Sequence, residues 1–189
     1  MTESSSLAAR STKNCCLLVS VRNMEEARLA HQYGVDIIDC KEPRDGPLAP
    51  VSEQVFKELA EWLEKHSCQA FSGTPSPQLS AALGEAPQAL ATVEYLPEAF
   101  RFAKVGPSNC RSEADLEQLW QGVRNGLPAE TELVTVGYAD HEAAGTVPVE
   151  VLLESAARTG FKRILIDTFD KTSGSVIDLL GKQRLRRFG

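Results

Sequence analysis

Short apolar runs alternate with stretches of helical periodicity six times along this 189-residue chain, and that alternation restricts the fold more than any other feature. Predicted strands cover 15–21, 35–41, 78–83, 100–105, 132–138 and 163–167. Predicted helices follow them at 24–33, from Ser52, at 87–96, 115–123 and 149–159, and from Ser175. The first run, Cys15-Cys-Leu-Leu-Val-Ser-Val, is continuously apolar, as expected of a parallel strand covered on both faces. Asn23 is a helix cap, Glu25 and Glu26 favour the positive end of that helix, and Gly34 stops it. Val55, Phe56, Leu59, Trp62 and Leu63 share one face of the helix after Ser52. Residues 67–77 read as a loop, Gly84 closes the third strand, and Asn125-Gly126 breaks the fourth helix.

Repeated strand–helix units leave two main architectures, a (β/α)8 barrel or a doubly wound open sheet. A dinucleotide-binding open sheet carries a glycine-rich turn after its first strand, and Ser20-Val-Arg-Asn contains none. Charged residues end the second, fourth and sixth runs, as in barrels whose sites draw on several strand C-termini. The expected fold class is α/β, a TIM (β/α)8-type barrel truncated after about six βα units, because eight units need about 200–250 residues. Residues 1–14 are expected to be a disordered N-terminal tail, and 15–189 a single partial TIM-barrel catalytic domain.

A net charge of −6 argues against nucleic acid or an anionic membrane surface as partner. No run approaches the ~20 apolar residues of a membrane span. The first residues lack a charged n-region and an apolar h-region, so a cytoplasmic location is expected. The five cysteines contain no CxxC pair, which disfavours a disulfide framework or zinc site. Cys15, Cys16 and Cys40 fall in predicted strands, where thiols act as small apolar groups. The three histidines have no partner at metal-ligand spacing, so no metal site is expected.

Candidate chemistry gathers where strands meet their loops. Val35-Asp-Ile-Ile-Asp39-Cys-Lys41-Glu-Pro ends on a lysine, as does Phe100-Arg-Phe-Ala-Lys104. Ile164-Leu-Ile-Asp167-Thr-Phe-Asp-Lys171 delivers an aspartate and, four residues on, another lysine. Strand side chains alternate, so Asp39 and Lys41 share one face, as do Phe102 and Lys104. Clustered ammonium groups and desolvation both lower an amine's pKa from about 10.4, which frees it to attack a carbonyl. Against this stands a plain alternative: a lone strand-end lysine usually snorkels to water. Tyr138 and Asp140 either line the same mouth or form a turn. Gly84 and Gly106 allow backbone approach to a phosphate, although glycine after a strand is common. Glu42 and Arg44 read as a solvated loop pair, and Arg184, Arg186 and Arg187 as an exposed helix end.

Six motifs in order carry a family resemblance: Leu17-Leu-Val-Ser-Val, the Val35 to Pro43 segment, Ser80-Ala-Ala-Leu-Gly-Glu-Ala-Pro, Phe102-Ala-Lys104-Val-Gly, Gly137-Tyr-Ala-Asp140 and Leu165-Ile-Asp167-Thr-Phe-Asp-Lys171. From Cys15 to about Leu180 the chain resembles the (5-formylfuran-3-yl)methyl phosphate synthases of methanofuran biosynthesis. The resemblance implies a TIM barrel that condenses two molecules of glyceraldehyde 3-phosphate without metal or organic cofactor. It implies Lys41 as the Schiff-base lysine and Lys104 as proton acceptor, with Asp39, Asp167 and Lys171 moving protons and orienting phosphate. Family members continue for roughly two more βα units, and barrels often build phosphate sites after strands seven and eight. A catalytically defective phospho-ligand-binding fragment, another Schiff-base aldolase acting on a sugar phosphate, and a homo-oligomer joined through open strand edges are therefore expectations as well.

Overall fold

The computed structural model describes residues 15–67 and 76–188. The tail expected over 1–14, and residues 68–75 of the expected loop (Cys68 among them), lie outside the described residues.

Strands β1 (Leu18–Val21), β2 (Ile37–Cys40), β3 (Gln78–Glu85), β4 (Phe100–Gly106), β5 (Glu132–Tyr138) and β6 (Arg163–Asp167) form one sheet. Every neighbouring pair is parallel, and spatial order equals chain order. Each crossover therefore steps the same way round, whereas a doubly wound sheet reverses at a switch point. The helices are α1 (Met24–Gln32), α2 (Glu53–Ser67), α3 (Gln88–Val93), α4 (Glu113–Gly126), α5 (His141–Ala144), α6 (Val149–Thr159) and α7 (Val176–Leu185).

The sheet is strongly curled. Four inter-strand steps between β2 and β6 would separate their residues by roughly 19 Å in a flat sheet. Lys41, just after β2, nevertheless brings its Nζ to 3.9 Å from Asp167 Oδ2 at the end of β6. The architecture is thus a parallel six-stranded α/β half-barrel.

Alternation along the strands separates two environments. Ile38, Leu79, Ala81, Leu83, Ala103 and Val105 face the helices in the main core. There they pack with Phe56, Leu59 and Trp62 of α2 and with Leu116, Leu119 and Trp120 of α4. The concave face instead carries Ser20, Asp39, Ser80, Phe102 and Lys104. Ser20, Asp39 and Ser80 are consecutive Cα partners across β1, β2 and β3.

Local signals set the helix starts. Asn23 Oδ1 accepts the Glu26 N–H at 3.0 Å, and Ser112 with Asp115, like Ser175 with Asp178, forms a capping box. The Ser112 cap makes α4 begin earlier than expected. It also runs through Asn125-Gly126, where Gln121 bonds Asn125 at 2.9 Å and Arg124 holds the Thr131 and Pro128 carbonyls. Two strand expectations are also corrected. β1 begins at Leu18, and Cys15 and Cys16 are exposed outside it, because this edge strand has only β2 to pair with, and pairing starts at Ile37. Gly84 does not close β3, which continues to Glu85 through a register shift. No helix among the described residues is long and apolar enough to cross a membrane.

Candidate active site

Lys41 stands one residue beyond β2, its N–H still bonded to the Val21 carbonyl at 3.0 Å. That bond continues the ladder and aims the side chain along the concave face. Desolvation lowers the Lys41 pKa, and the Lys104 and Lys171 charges lower it further. Asp167, and more weakly Asp39, oppose the fall. The balance remains downward, so this amine sheds its proton more readily than a surface lysine.

Lys104 is 5% exposed and reaches across β3 to Asp39, which is fully buried. The small side chains of Ser80 and Ala82 leave this route open, and Lys104 Nζ meets Asp39 Oδ2 at 2.5 Å. Ser20 donates to the same oxygen at 2.9 Å, while Asp39 Oδ1 has no hydrogen-bond partner among the described residues. Asp39 therefore lies beneath the mouth rather than in it, as Lys104's buried counter-ion.

Asp167 serves two lysines. Its Oδ1 accepts Lys171 Nζ at 2.6 Å, and its Oδ2 faces Lys41. Lys171 also donates to the Thr168 carbonyl at 2.5 Å, which bends its stem back over the strand end. The five sequence-derived residues thus form two adjoining groups, Lys41–Asp167–Lys171 and Lys104–Asp39–Ser20. Lys41, Lys104 and Asp167 line a concave cavity of about 520 Å³ together with Ser20, Ser80 and Phe102. Arg163 also lines it and stacks on the Phe102 ring at 4.8 Å, and Glu132 binds both Arg163 and Arg101.

The remaining candidates divide. Asp140 accepts the Phe169 and Asp170 N–H groups at 2.7 and 2.8 Å, so it shapes the turn that carries Lys171. Tyr138 is fully buried and donates its hydroxyl to Glu85. Glu42 accepts from the Arg44 backbone N–H at 3.1 Å, a local turn contact. Arg184 is not a free end: its guanidinium grips Glu150 at 2.7–2.9 Å. Sequence reasoning passed over Ser20 and Glu85. Ser20 lay inside an apolar strand, and only its facing of Asp39 marks it. Glu85 by strict alternation belongs on the helix side, and the register shift in β3 turns it inward.

Fold and site together define an α/β half-barrel whose strand ends deliver clustered lysines and carboxylates to one concave face. The profile of the 4-HFC-P synthase family matches residues 17–189, and the chain belongs to that family. A (5-formylfuran-3-yl)methyl phosphate synthase of Methanosarcina acetivorans is 28% identical over 181 residues, covering 91% of this chain and 73% of the relative. The synthase of the same name from Methanococcus maripaludis strain C6 is 30% identical, covering 91% and 72%. Among solved structures, CutC of Streptococcus agalactiae, described as a copper homeostasis protein, superposes with a TM-score of 0.57. That likeness covers 92% of this chain and 81% of CutC at 11% identity, and it concerns the fold alone.

Proposed function

We propose that the protein is a lyase that condenses two glyceraldehyde 3-phosphate molecules through a Schiff base on Lys41, giving (5-formylfuran-3-yl)methyl phosphate, a methanofuran precursor. The fold is then a (β/α)8-type barrel of which six units are present here, working in the cytoplasm on free triose phosphates. The observation that carries the reading is the desolvated amine of Lys41, its pKa lowered, beside Lys104 and Asp167 in one cavity.

One triose isomerises to its ketone, and the Lys41 amine adds to that carbonyl, expelling water to leave the imine. Lys104, having passed its own proton to Asp39, takes the proton from the adjacent carbon, and the resulting enamine forms the new carbon–carbon bond to the second triose's aldehyde. Loss of phosphate and water, with hydrolysis of the imine, closes the furan and frees the lysine. Asp39 holds Lys104 in place, while Asp167 and Lys171 move protons and orient phosphate. The chain's relatives, named as synthases of this phosphate, support the same assignment.

Borohydride added during incubation with glyceraldehyde 3-phosphate should leave a reduced adduct on Lys41, mapped by peptide mass spectrometry. An unchanged adduct in Lys41→Ala would refute the role of this residue. A phospho-ligand-binding protein without turnover is the second reading, favoured by the exposed β1 and β6 edges, where Leu18 and Ile164 stand open. Furan product from the purified 189-residue chain would exclude it.

A further inference from the structure

Four separate features place one carboxylate that the proposed mechanism does not use. Between Ala82 and Glu85 the β3–β4 register slips, so three steps on β3 match two on β4, from Lys104 to Gly106. An extra residue of this kind reverses which face the following side chains meet. Gly84 sits in the slip at φ +104°, a conformation that L side chains rarely adopt. The slip makes Glu85 the partner of Gly106, two residues beyond Lys104 on the concave side. A Cβ on Gly106 would lie 2.1 Å from Glu85 Oε2, so only glycine leaves the carboxylate room. The Ser108 N–H then bonds Oε2 at 3.0 Å, and the buried Tyr138 hydroxyl bonds Oε1.

Burial and the neighbouring Glu85, Asp167 and Asp140 charges all raise the Tyr138 pKa, which keeps its phenol a donor. Tyr138 is the Cα partner of Asp167, so this pair adjoins the lysine cluster on the same strand ends. Three lysines there attract phosphate; a carboxylate repels it and accepts hydrogen bonds from hydroxyls. We propose that Glu85 is a specificity-determining residue that receives a hydroxyl of a triose, turning the phosphate end toward the lysines, and that Tyr138 is its positioning residue. The proposal rests on the triose-phosphate reading of the site and adds to it the orientation of the substrate.

Glu85→Gln keeps shape and removes charge, and Tyr138→Phe keeps the ring and removes the donor. Three quantities are read: borohydride trapping on Lys41, kcat/KM for furan formation, and inhibition by inorganic phosphate. Glu85→Gln should still trap on Lys41 and lose roughly tenfold in kcat/KM, the worth of one charge-assisted hydrogen bond. Phosphate should inhibit it more strongly than the parent, because the repelling charge is gone. Tyr138→Phe should move both quantities the same way by a smaller factor. Parental kcat/KM and phosphate inhibition in Glu85→Gln overturn the proposal, even while Lys41 still traps. If Glu85→Gln fails to fold, parental values of both in Tyr138→Phe overturn it. No adduct on Lys41 in the parent overturns the triose-phosphate reading itself.

Discussion

At the scale of single residues, the opposing charges around Lys41 make a signed prediction. An amine reacts as its free base, so trapping should rise with pH, with an inflection below the ordinary lysine value of about 10.4. Asp167 raises the Lys41 pKa and Lys171 lowers it. Asp167→Asn should therefore move the inflection to lower pH. Lys171→Met should move it up, because a lowering charge disappears and Asp167 is released to Lys41. The check is the pH profile of borohydride trapping for the three proteins. Shifts in the opposite sense would mean that Lys41 does not sense these charges. Lys41, Lys104, Asp39, Asp167 and Lys171 were legible in the sequence because each marks the end or loop of a strand whose apolar run is plain. Their division into a buried pair and an open trio was not legible, since it depends on Lys104 crossing β3 over small side chains.

At the scale of elements, glycine positions show how a strand's geometry is set by what lies beside it. Gly106 sits in β4 with the Glu85 carboxylate directly over it. In Gly106→Ala the carboxylate must leave, giving up its Ser108 bond and stranding the buried Tyr138 hydroxyl. Stranding a buried polar group costs about 1–3 kcal/mol, and urea or thermal unfolding should read a loss of that size. Parental stability would mean that the Glu85–Tyr138 contact is not worth holding. Element types followed from apolar periodicity and caps, as at Asn23 and Ser175. The slip in β3 did not, because it answers to a neighbouring strand that the local sequence does not contain. Helix α4 runs through Asn125-Gly126 because the Gln121–Asn125 bond and the Arg124 contacts to the Pro128 and Thr131 carbonyls outweigh the local turn signal.

At the scale of the whole molecule, the half-barrel leaves β1 and β6 as edges with only one strand neighbour each among the described residues. Leu17 is 55% exposed and Leu18 43%, with Ile164 open at the other edge. Unpaired backbone groups flanked by apolar side chains invite pairing with another chain. The purified chain should thus self-associate as concentration rises in sedimentation velocity, and Ile164→Lys should weaken that association. A monomer at every concentration would mean the edges are shielded by something other than a second copy.

What the sequence by itself determined is the alternation of strands and helices, the parallel sheet that follows from it, and the short list of lysines and aspartates at strand ends. These are local quantities, written in residue spacing and side-chain type. Only the tertiary structure decided that the sheet curls far enough for Lys41 to meet Asp167 from four strands away, that Asp39 is buried beneath Lys104, and that Glu85 turns inward to Tyr138. Desolvation and charge proximity act through space, and distances across a curled sheet are set by register and packing rather than by position along the chain.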